Sequence, residues 1–176
     1  MINNHEFLGV DVETASFRPG SICQIGIVRF RLGKEVASSV WLVKPQHSFS
    51  PVNTAIHGIG PEAVRHAKTW NELYPELVSL MGGATIVSHT PFDRRAIFAA
   101  CCNCALPMFS YRYWKDSCSL ARRAWPNETS YALPMLAQRF GLAYRAHDSQ
   151  EDARVAGLLY IKANSEIERV VGDRQR

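Results

Sequence analysis

The sequence predicts an α/β domain built on a mixed β-sheet, and three observations carry that prediction. Three strand-like runs crowd the first quarter of the 176 residues, two of them joined by a tight turn. Two further strand-like runs come later, each set between stretches of helical spacing. No repeat or linker divides the chain, whose length is that of one domain. A hairpin requires antiparallel pairing, and strands separated by helices pair in parallel, so a sheet of five strands is mixed.

The elements follow in order. Phe7–Glu13 alternates, with Leu8, Val10 and Val12 toward one face and Phe7, Gly9, Asp11 and Glu13 toward the other. Ile22–Phe30 and Val36–Val43 are the next strands, with Arg31-Leu32-Gly33-Lys34 as their turn. Pro45, Ser48, Ser50 and Pro51 punctuate a loop. A short helix is expected at Pro61–His66. A longer one is expected at Thr69–Met81, where Leu73, Leu77 and Leu80 share a face and Gly82-Gly83 is the stop. Thr85–Ser88 reads as a strand, Asp93–Asn103 as a helix and Tyr111–Asp116 as the last strand. Helices then fall at Cys118–Trp125, stopped by Pro126, and at Ala132–Phe140, stopped by Gly141. The final helix runs from about Gln150 to about Asn164. The single domain 1–176 thus has a core over about 7–163 and a short tail, 165–176.

Composition excludes several classes. Leu, Ile, Val and Phe make up a quarter of the chain, above the roughly 20 % below which disorder prevails. No window approaches the roughly 18 unbroken apolar residues of a membrane helix. Met1–Glu6 has no basic run followed by an apolar one, so no signal peptide is expected, and a cytoplasmic location is. The cysteines number five, an odd count. Cys101 and Cys104 form a C-x-x-C without a second pair. With Ile97 they fall at i, i+4 and i+7, the stripe of a buried helix face, so core packing is expected there rather than zinc or redox chemistry.

The net charge of +4 is mildly basic and compatible with a nucleic-acid partner. Between Arg94 and Arg123 stand Arg94, Arg95, Arg112, Lys115, Arg122 and Arg123 against Asp116 alone. Either a phosphate backbone runs along such a face, or these are solvated helix positions that do not all point one way.

The acids are the informative residues. Asp11 and Glu13, two apart on a strand, leave the same face at its carboxyl end, where ligand sites form in open α/β sheets. Two crowded carboxylates repel, and a cation between them removes the penalty. Oxygen-only ligands suit Mg²⁺ or Mn²⁺ rather than zinc. Asp93 follows the turn His89-Thr90-Pro91-Phe92 and opens a helix, where the macrodipole alone would also favour an acid. Asp152 stands in Ser149-Gln150-Glu151-Asp152, the spacing of a capping box, so a capping role is the alternative to a ligand role. His147, placed on the loop before that helix, can fold back over the same site. Four carboxylates could hold two divalent ions roughly 4 Å apart, the arrangement for in-line displacement at phosphorus. A histidine with its ordinary pKa of about 6.5 is neutral enough at pH 7 to take a proton from water.

Asp11-Val12-Glu13-Thr14, His89 to Asp93 and His147-Asp148-Ser149-Gln150-Glu151-Asp152 resemble the three motifs of the DEDDh 3′-to-5′ exonucleases. That family includes the epsilon proofreading subunit of DNA polymerase III, ribonuclease T and oligoribonuclease. Cys23-Gln24-Ile25-Gly26 resembles the family's second strand, and Ile56-His57-Gly58-Ile59 its substrate-facing loop. The resemblance spans roughly Phe7 to Ala163 and implies a ribonuclease H-like fold. It implies that Asp11, Glu13 and Asp152 hold a first Mg²⁺ or Mn²⁺ ion, that Asp11 and Asp93 serve a second, and that His147 is the general base. The family's second motif commonly reads His-Asn-x-x-Phe-Asp. Here the segment is one residue shorter and lacks the Asn, which leaves the loop before Asp93 altered.

The implied activity is metal-dependent release of 5′-mononucleotides from single-stranded 3′ ends, DNA first. The alternatives are RNA trimming of the ribonuclease T kind and a non-catalytic polymerase or repair accessory module. Phe17 stands where ribonuclease T also carries an aromatic. It either stacks on a terminal base, worth about 1–3 kcal/mol, or packs at the base of its loop. Thr14 is expected near the 3′ end and His89 at the substrate, while His57 either lines the nucleotide pocket or packs, as a loop histidine, on the helix after it. A homodimer is implied by likeness to ribonuclease T and oligoribonuclease. The short tail, 165–176, is unlike the long tether of the epsilon subunit.

Overall fold

β1 (Phe7–Thr14) lies at the centre of the computed structural model, which describes residues 6–173. The start of the chain, read above for a signal peptide, lies outside the described residues except for Glu6, as do the last three residues of the expected tail. β1 pairs antiparallel with β2 (Ile22–Arg31), and β2 pairs antiparallel with β3 (Lys34–Lys44) through the expected turn. On its other side β1 pairs in parallel with β5 (Thr85–Ser88), which pairs in parallel with β6 (Tyr113–Asp116). β4 (Lys68–Thr69) adds two residues to the end of β3. The order is β4-β3-β2-β1-β5-β6, a mixed sheet of six strands rather than five. β4 is too short to carry a period-2 pattern, so no sequence signal marks it.

The alternation of β1 sorts the two faces. Leu8, Val10 and Val12 pack with α2 (Trp70–Met81) and α3 (Phe92–Asn103), through Leu73, Leu77, Ile97 and Cys101 among others. Cys101 is fully buried on this face, as its spacing with Ile97 predicts. The opposite face carries Phe7, Val28, Phe30 and Val87, covered by α6 (Ser149–Asp173). α4 (Ser117–Ala124) and α5 (Leu133–Arg139) lean on α6 and form a smaller core with Val155 and Leu159.

Glycine decides how close α6 lies. A Cβ on Gly9 would sit 2.3 Å from the Ala153 carbonyl oxygen, and one on Gly26 would sit 2.3 Å from that of Ser149. Both contacts are with helix backbone, which cannot swing aside. The bare backbone of β1 and β2 therefore lets the first turns of α6 rest on the sheet beside Asp11.

Three local readings are corrected. The segment read as a loop contains α1 (Pro51–His57), opened by Pro51 in its first turn. Its residues are mostly exposed, with only Asn53 buried, so it shows no apolar stripe for sequence to detect. The expected helix at Pro61–His66 is instead a run of turns with i→i+3 bonds such as Ala63 N–H to Gly60 O. One buried residue, Val64, gives that segment too little packing to propagate a helix. The last helix continues past Asn164 to Asp173, so the expected tail is mostly helix, held on its outer face by Arg169 with Glu166 and Asp173.

Candidate active site

Three elements deliver the acids to one place. Asp11 and Glu13 project from the last residues of β1 on the α6 face. Immediately beyond, the β1–β2 register shifts between Glu13 and Thr14, a bulge that turns the strand end. Asp93 comes from the first turn of α3 but does not merely face the helix dipole. Its Oδ1 accepts the backbone N–H of Val12 at 3.1 Å, which ties α3 to the middle of the acidic strand. Asp152 comes from the first turn of α6.

The capping-box reading of Asp152 is corrected. Asp148 caps α6, its Oδ1 accepting from the N–H groups of Gln150 (3.1 Å) and Glu151 (3.3 Å). The Ser149 hydroxyl instead donates to Gln24 Oε1 at 2.9 Å, pinning the helix start to β2. Asp152 is left facing the cluster.

Electrostatics show what this convergence costs. Burial, followed by the charges of Asp93, Asp152 and Glu13, holds the Asp11 carboxyl well above the usual carboxylate range. Burial, then Asp152 and Asp93, pushes Glu13 up to about 7. Burial raises Asp93 to about 7 against the Val12 N–H, which favours its charged form. Asp152 is also raised by burial, against hydrogen bonds from Tyr144 and from the His147 backbone. Clustered carboxyls that resist ionisation in this way are relieved by a divalent cation. Glu13, His147 and Asp152 offer donor atoms that all lie within 4.8 Å of one another. The donor set of carboxylates plus one imidazole therefore fits a divalent metal.

His147 is exposed and sits at φ 62°, a left-handed conformation uncommon for a residue with a side chain. Non-glycine residues are held there only where surrounding contacts determine the loop. Here the chain is anchored on either side, at Asp148 by its cap of α6 and at Tyr144 by its bond to Asp152. Tyr144 donates its hydroxyl to Asp152 Oδ1 while its ring packs against the α4–α5–α6 core. Burial and the neighbouring carboxylates raise the phenol far above its usual value, so it remains a donor. Sequence reasoning missed Tyr144, because a loop of unknown path separates it from Asp152.

The other candidate residues divide. Thr14 lines a pocket of about 370 Å³ with Ser16, Phe17, Asn53, Phe92 and Arg95 among its walls. Phe17 is 79 % exposed, so it is not the core side chain of the alternative reading. His57 Nδ1 accepts the Ile59 N–H at 3.0 Å, which leaves the proton on Nε2 to be donated to the Thr14 carbonyl at 3.1 Å. Burial lowers its pKa, so this neutral form is the favoured one. Asn53, also missed, donates to the same carbonyl at 2.9 Å. Its Oδ1 is buried with no partner. Nothing in the α1 sequence distinguishes Asn53 from an exposed helix residue.

His89 is corrected from a substrate position. It is buried, with Nδ1 2.9 Å from the Ser117 hydroxyl and Nε2 2.8 Å from the Tyr131 carbonyl. Both ring nitrogens are used to join β5, α4 and the segment before α5. The neighbouring Ser88 hydroxyl receives Trp114 Nε1–H at 2.9 Å and donates to the Thr90 carbonyl at 2.7 Å, which holds the shortened turn before Asp93. The C-x-x-C also takes no part in the site. All five cysteines are free, and burial pushes the Cys23 thiol up to about 12.

The basic residues between Arg94 and Arg123 do not form one face. Arg112 and Lys115 lie over Tyr113 on β6, and Arg122 lies over Tyr131 beside α4. Arg95 stands on α3 in the wall of the pocket, and Arg94 precedes it on the same helix.

The chain is similar to several known proteins. The RNase_T family model, described as an exonuclease, matches residues 8–160. A PolC-type DNA polymerase III of Thermotoga petrophila is 27 % identical over 163 residues, covering 90 % of this chain and 12 % of that protein. The 3′-5′ exonuclease DinG of Staphylococcus epidermidis is 28 % identical over 174 residues, covering 97 % of this chain and 19 % of that protein. The chain thus spans less than a fifth of the length of these relatives. Among solved structures, exonuclease X in complex with 5′ overhanging duplex DNA superposes with a TM-score of 0.76 at 26 % identity, covering 90 % of this chain and 91 % of that one. The nuclease domain of 3′hExo, a DEDDh family member bound to rAMP, shares the fold with a TM-score of 0.74 at 14 % identity, covering 92 % and 91 %. No helix among the described residues is long and apolar enough to cross a membrane.

Proposed function

This chain belongs to the RNase T exonuclease family, and on that premise we propose that it is a metal-dependent 3′-to-5′ exonuclease of single-stranded ends, DNA foremost, releasing 5′-mononucleotides. The observation that carries the reading is the meeting of four carboxyls from β1, α3 and α6, all raised by burial, beside an exposed histidine.

Asp11, Glu13 and Asp152 would hold one divalent ion, Mg²⁺ or Mn²⁺, and Asp11 with Asp93 a second. When bound, the ions would supply charge stabilisation for the phosphate oxygens and the leaving 3′ oxygen. The chain's own residues do the rest. His147 takes the proton of the attacking water, and its exposure on the loop gives it access to solvent and to the product side. Tyr144 holds Asp152 in orientation. His57 and Asn53 hold the Thr14 carbonyl, fixing the strand end at the pocket.

The pocket beside Thr14 receives the terminal nucleotide. Phe17 and Phe92 offer exposed rings for stacking. Asn53 stands in the same wall, its amide turned to the Thr14 carbonyl. The rival reading, RNA trimming, is favoured by the exposure of Phe17 at the ribonuclease T-like position. The polymerase relative supports a replication or repair partner for this domain.

The test is a labelled single-stranded DNA oligonucleotide and its RNA twin, each incubated with Mg²⁺, with Mn²⁺ and with chelator, beside Asp11→Ala. A ladder shortening from the 3′ end, dependent on metal and lost in the variant, is expected. The faster twin assigns the sugar, since only the 2′-OH differs. Full activity of Asp11→Ala, or activity in chelator, would overturn the assignment.

A further inference from the structure

A second groove adjoins the nucleotide pocket. It encloses about 600 Å³ between Pro91, Arg94, Arg95, Phe98, Met108 and Tyr111. Arg95 lines both this groove and the pocket of Thr14, Phe17 and Phe92. The two hollows thus meet at Arg95, on the first turns of α3.

The helix builds the groove by its period. Asp93, Ala96, Ile97, Ala100 and Cys101 form the buried face of α3. The outer face presents Arg94 and Phe98 at i and i+4, and Phe92 and Arg95 at i and i+3. Phe98 is 56 % exposed, a large apolar ring where a solvated helix would carry a polar residue. The Arg94 guanidinium lies 5.6 Å from the centre of the Tyr111 ring. That contact fixes the cation at the groove wall and leaves its N–H groups available. No acid lines the groove, and among the described residues neither Arg94 nor Arg95 joins an ion pair.

We propose that this groove is a binding site for the single-stranded nucleotides immediately upstream of the terminal one, with Phe98 as a stacking platform and Arg94 and Arg95 as phosphate contacts. The inference rests on the exonuclease reading and deepens it. Aromatic faces interleaved with unpaired cations are what an unpaired strand requires, since each base has a π-face and each link a charge. A protein partner would be met by the same apolar ring but would not call for two uncompensated cations and no acid. Arg94 and Arg95 directly follow Asp93 in the first turn of α3, so the groove opens beside the carboxyl cluster from which the upstream strand must leave. The substrate is thereby a strand of several nucleotides rather than a dinucleotide.

The test compares kcat/KM for a deoxythymidine dinucleotide and octanucleotide in the wild-type protein, Phe98→Ala and Arg94→Ala. Affinity for a fluorescein-labelled octathymidylate is measured in chelator by anisotropy across a salt series. The wild-type protein is expected to favour the octamer strongly. Phe98→Ala should cut the octamer-to-dimer ratio by about tenfold. Arg94→Ala should reduce the salt slope of binding by about one. A dimer cleaved as well as the octamer by the wild-type protein, or an unchanged ratio and slope in both variants, would overturn the groove assignment while leaving the exonuclease reading intact. Absence of cleavage and of chelator-insensitive binding would overturn both. Phe98 is exposed, so its replacement leaves the fold in place, and a melting curve checks this.

Discussion

The backbone N–H of Val12 donates to the Asp93 carboxylate across 3.1 Å, joining residues 81 apart in sequence. Val12 lies between Asp11 and Glu13, so the bond sets α3 against the acidic strand at the point where the charges meet. It uses an N–H on the other edge of β1 from the β2 pairing, beyond the end of the short β5 pairing at Leu8 and Gly9. The shortened turn before Asp93 therefore still delivers the carboxyl to the cluster.

The acidic cluster should make stability depend on pH and on divalent metal. Glu13 and Asp93 have folded-state values near 7, raised from ordinary values near 4. A raised carboxyl stabilises the fold fully below its unfolded pKa, and that contribution is lost as pH rises through the folded one. The melting temperature in chelator should fall by several degrees between pH 6 and pH 8. Mg²⁺ or Mn²⁺ should restore it at pH 8, as binding to the folded state requires. A flat profile with no metal effect would mean the carboxyls do not share a site.

Tyr144→Phe removes one hydroxyl and keeps the ring in its core. Asp152 then loses an orienting donor. An outer-shell loss of this kind costs about 10–100-fold in metal affinity or activity. The expected result is a higher Mg²⁺ concentration for half-maximal turnover with little change in melting temperature. Equal Mg²⁺ dependence in the two proteins would make Tyr144 a packing residue only.

Gly26→Ala places a methyl group 2.3 Å from the Ser149 carbonyl oxygen. The start of α6 must then move away from β2, and Asp148, Ser149 and Asp152 move with it. Overpacking of this size costs about 1–3 kcal/mol. Denaturant unfolding should show that loss, and turnover should fall more than stability does. Gly33→Ala, at an open turn of the β2–β3 hairpin with no neighbour within 4 Å, should lower stability modestly through its positive φ without the disproportionate loss of turnover.

Phe17 and His89 should respond oppositely. Phe17→Ala removes an exposed ring at the pocket and should raise KM for single strands about tenfold without lowering the melting temperature. His89→Ala leaves the Ser117 hydroxyl and Tyr131 carbonyl without their partner, and should cost about 1–3 kcal/mol of stability. An unchanged KM in the first variant, or an unchanged stability in the second, would reverse the roles assigned here.

What the sequence determines by itself is what short-range periodicity carries. Alternation in β1 placed Asp11 and Glu13 on one face and Leu8, Val10 and Val12 on the other, and the Ile97–Cys101 spacing marked the buried side of α3. The order of the three acidic motifs identified the family. Each of these is a relation between residues a few positions apart, or a pattern that survives without coordinates. The tertiary structure decided the rest. It turned His89 inward and Phe17 outward, and gave the cap of α6 to Asp148 so that Asp152 faces the cluster. It also brought Tyr144, Asn53 and Val12 to residues they do not neighbour in sequence. Whether a polar side chain faces solvent or a partner depends on which element closes over it, and that is fixed by packing across the sheet. Here the packing is set by the bare backbone at Gly9 and Gly26, which lets α6 approach closely enough to complete the site.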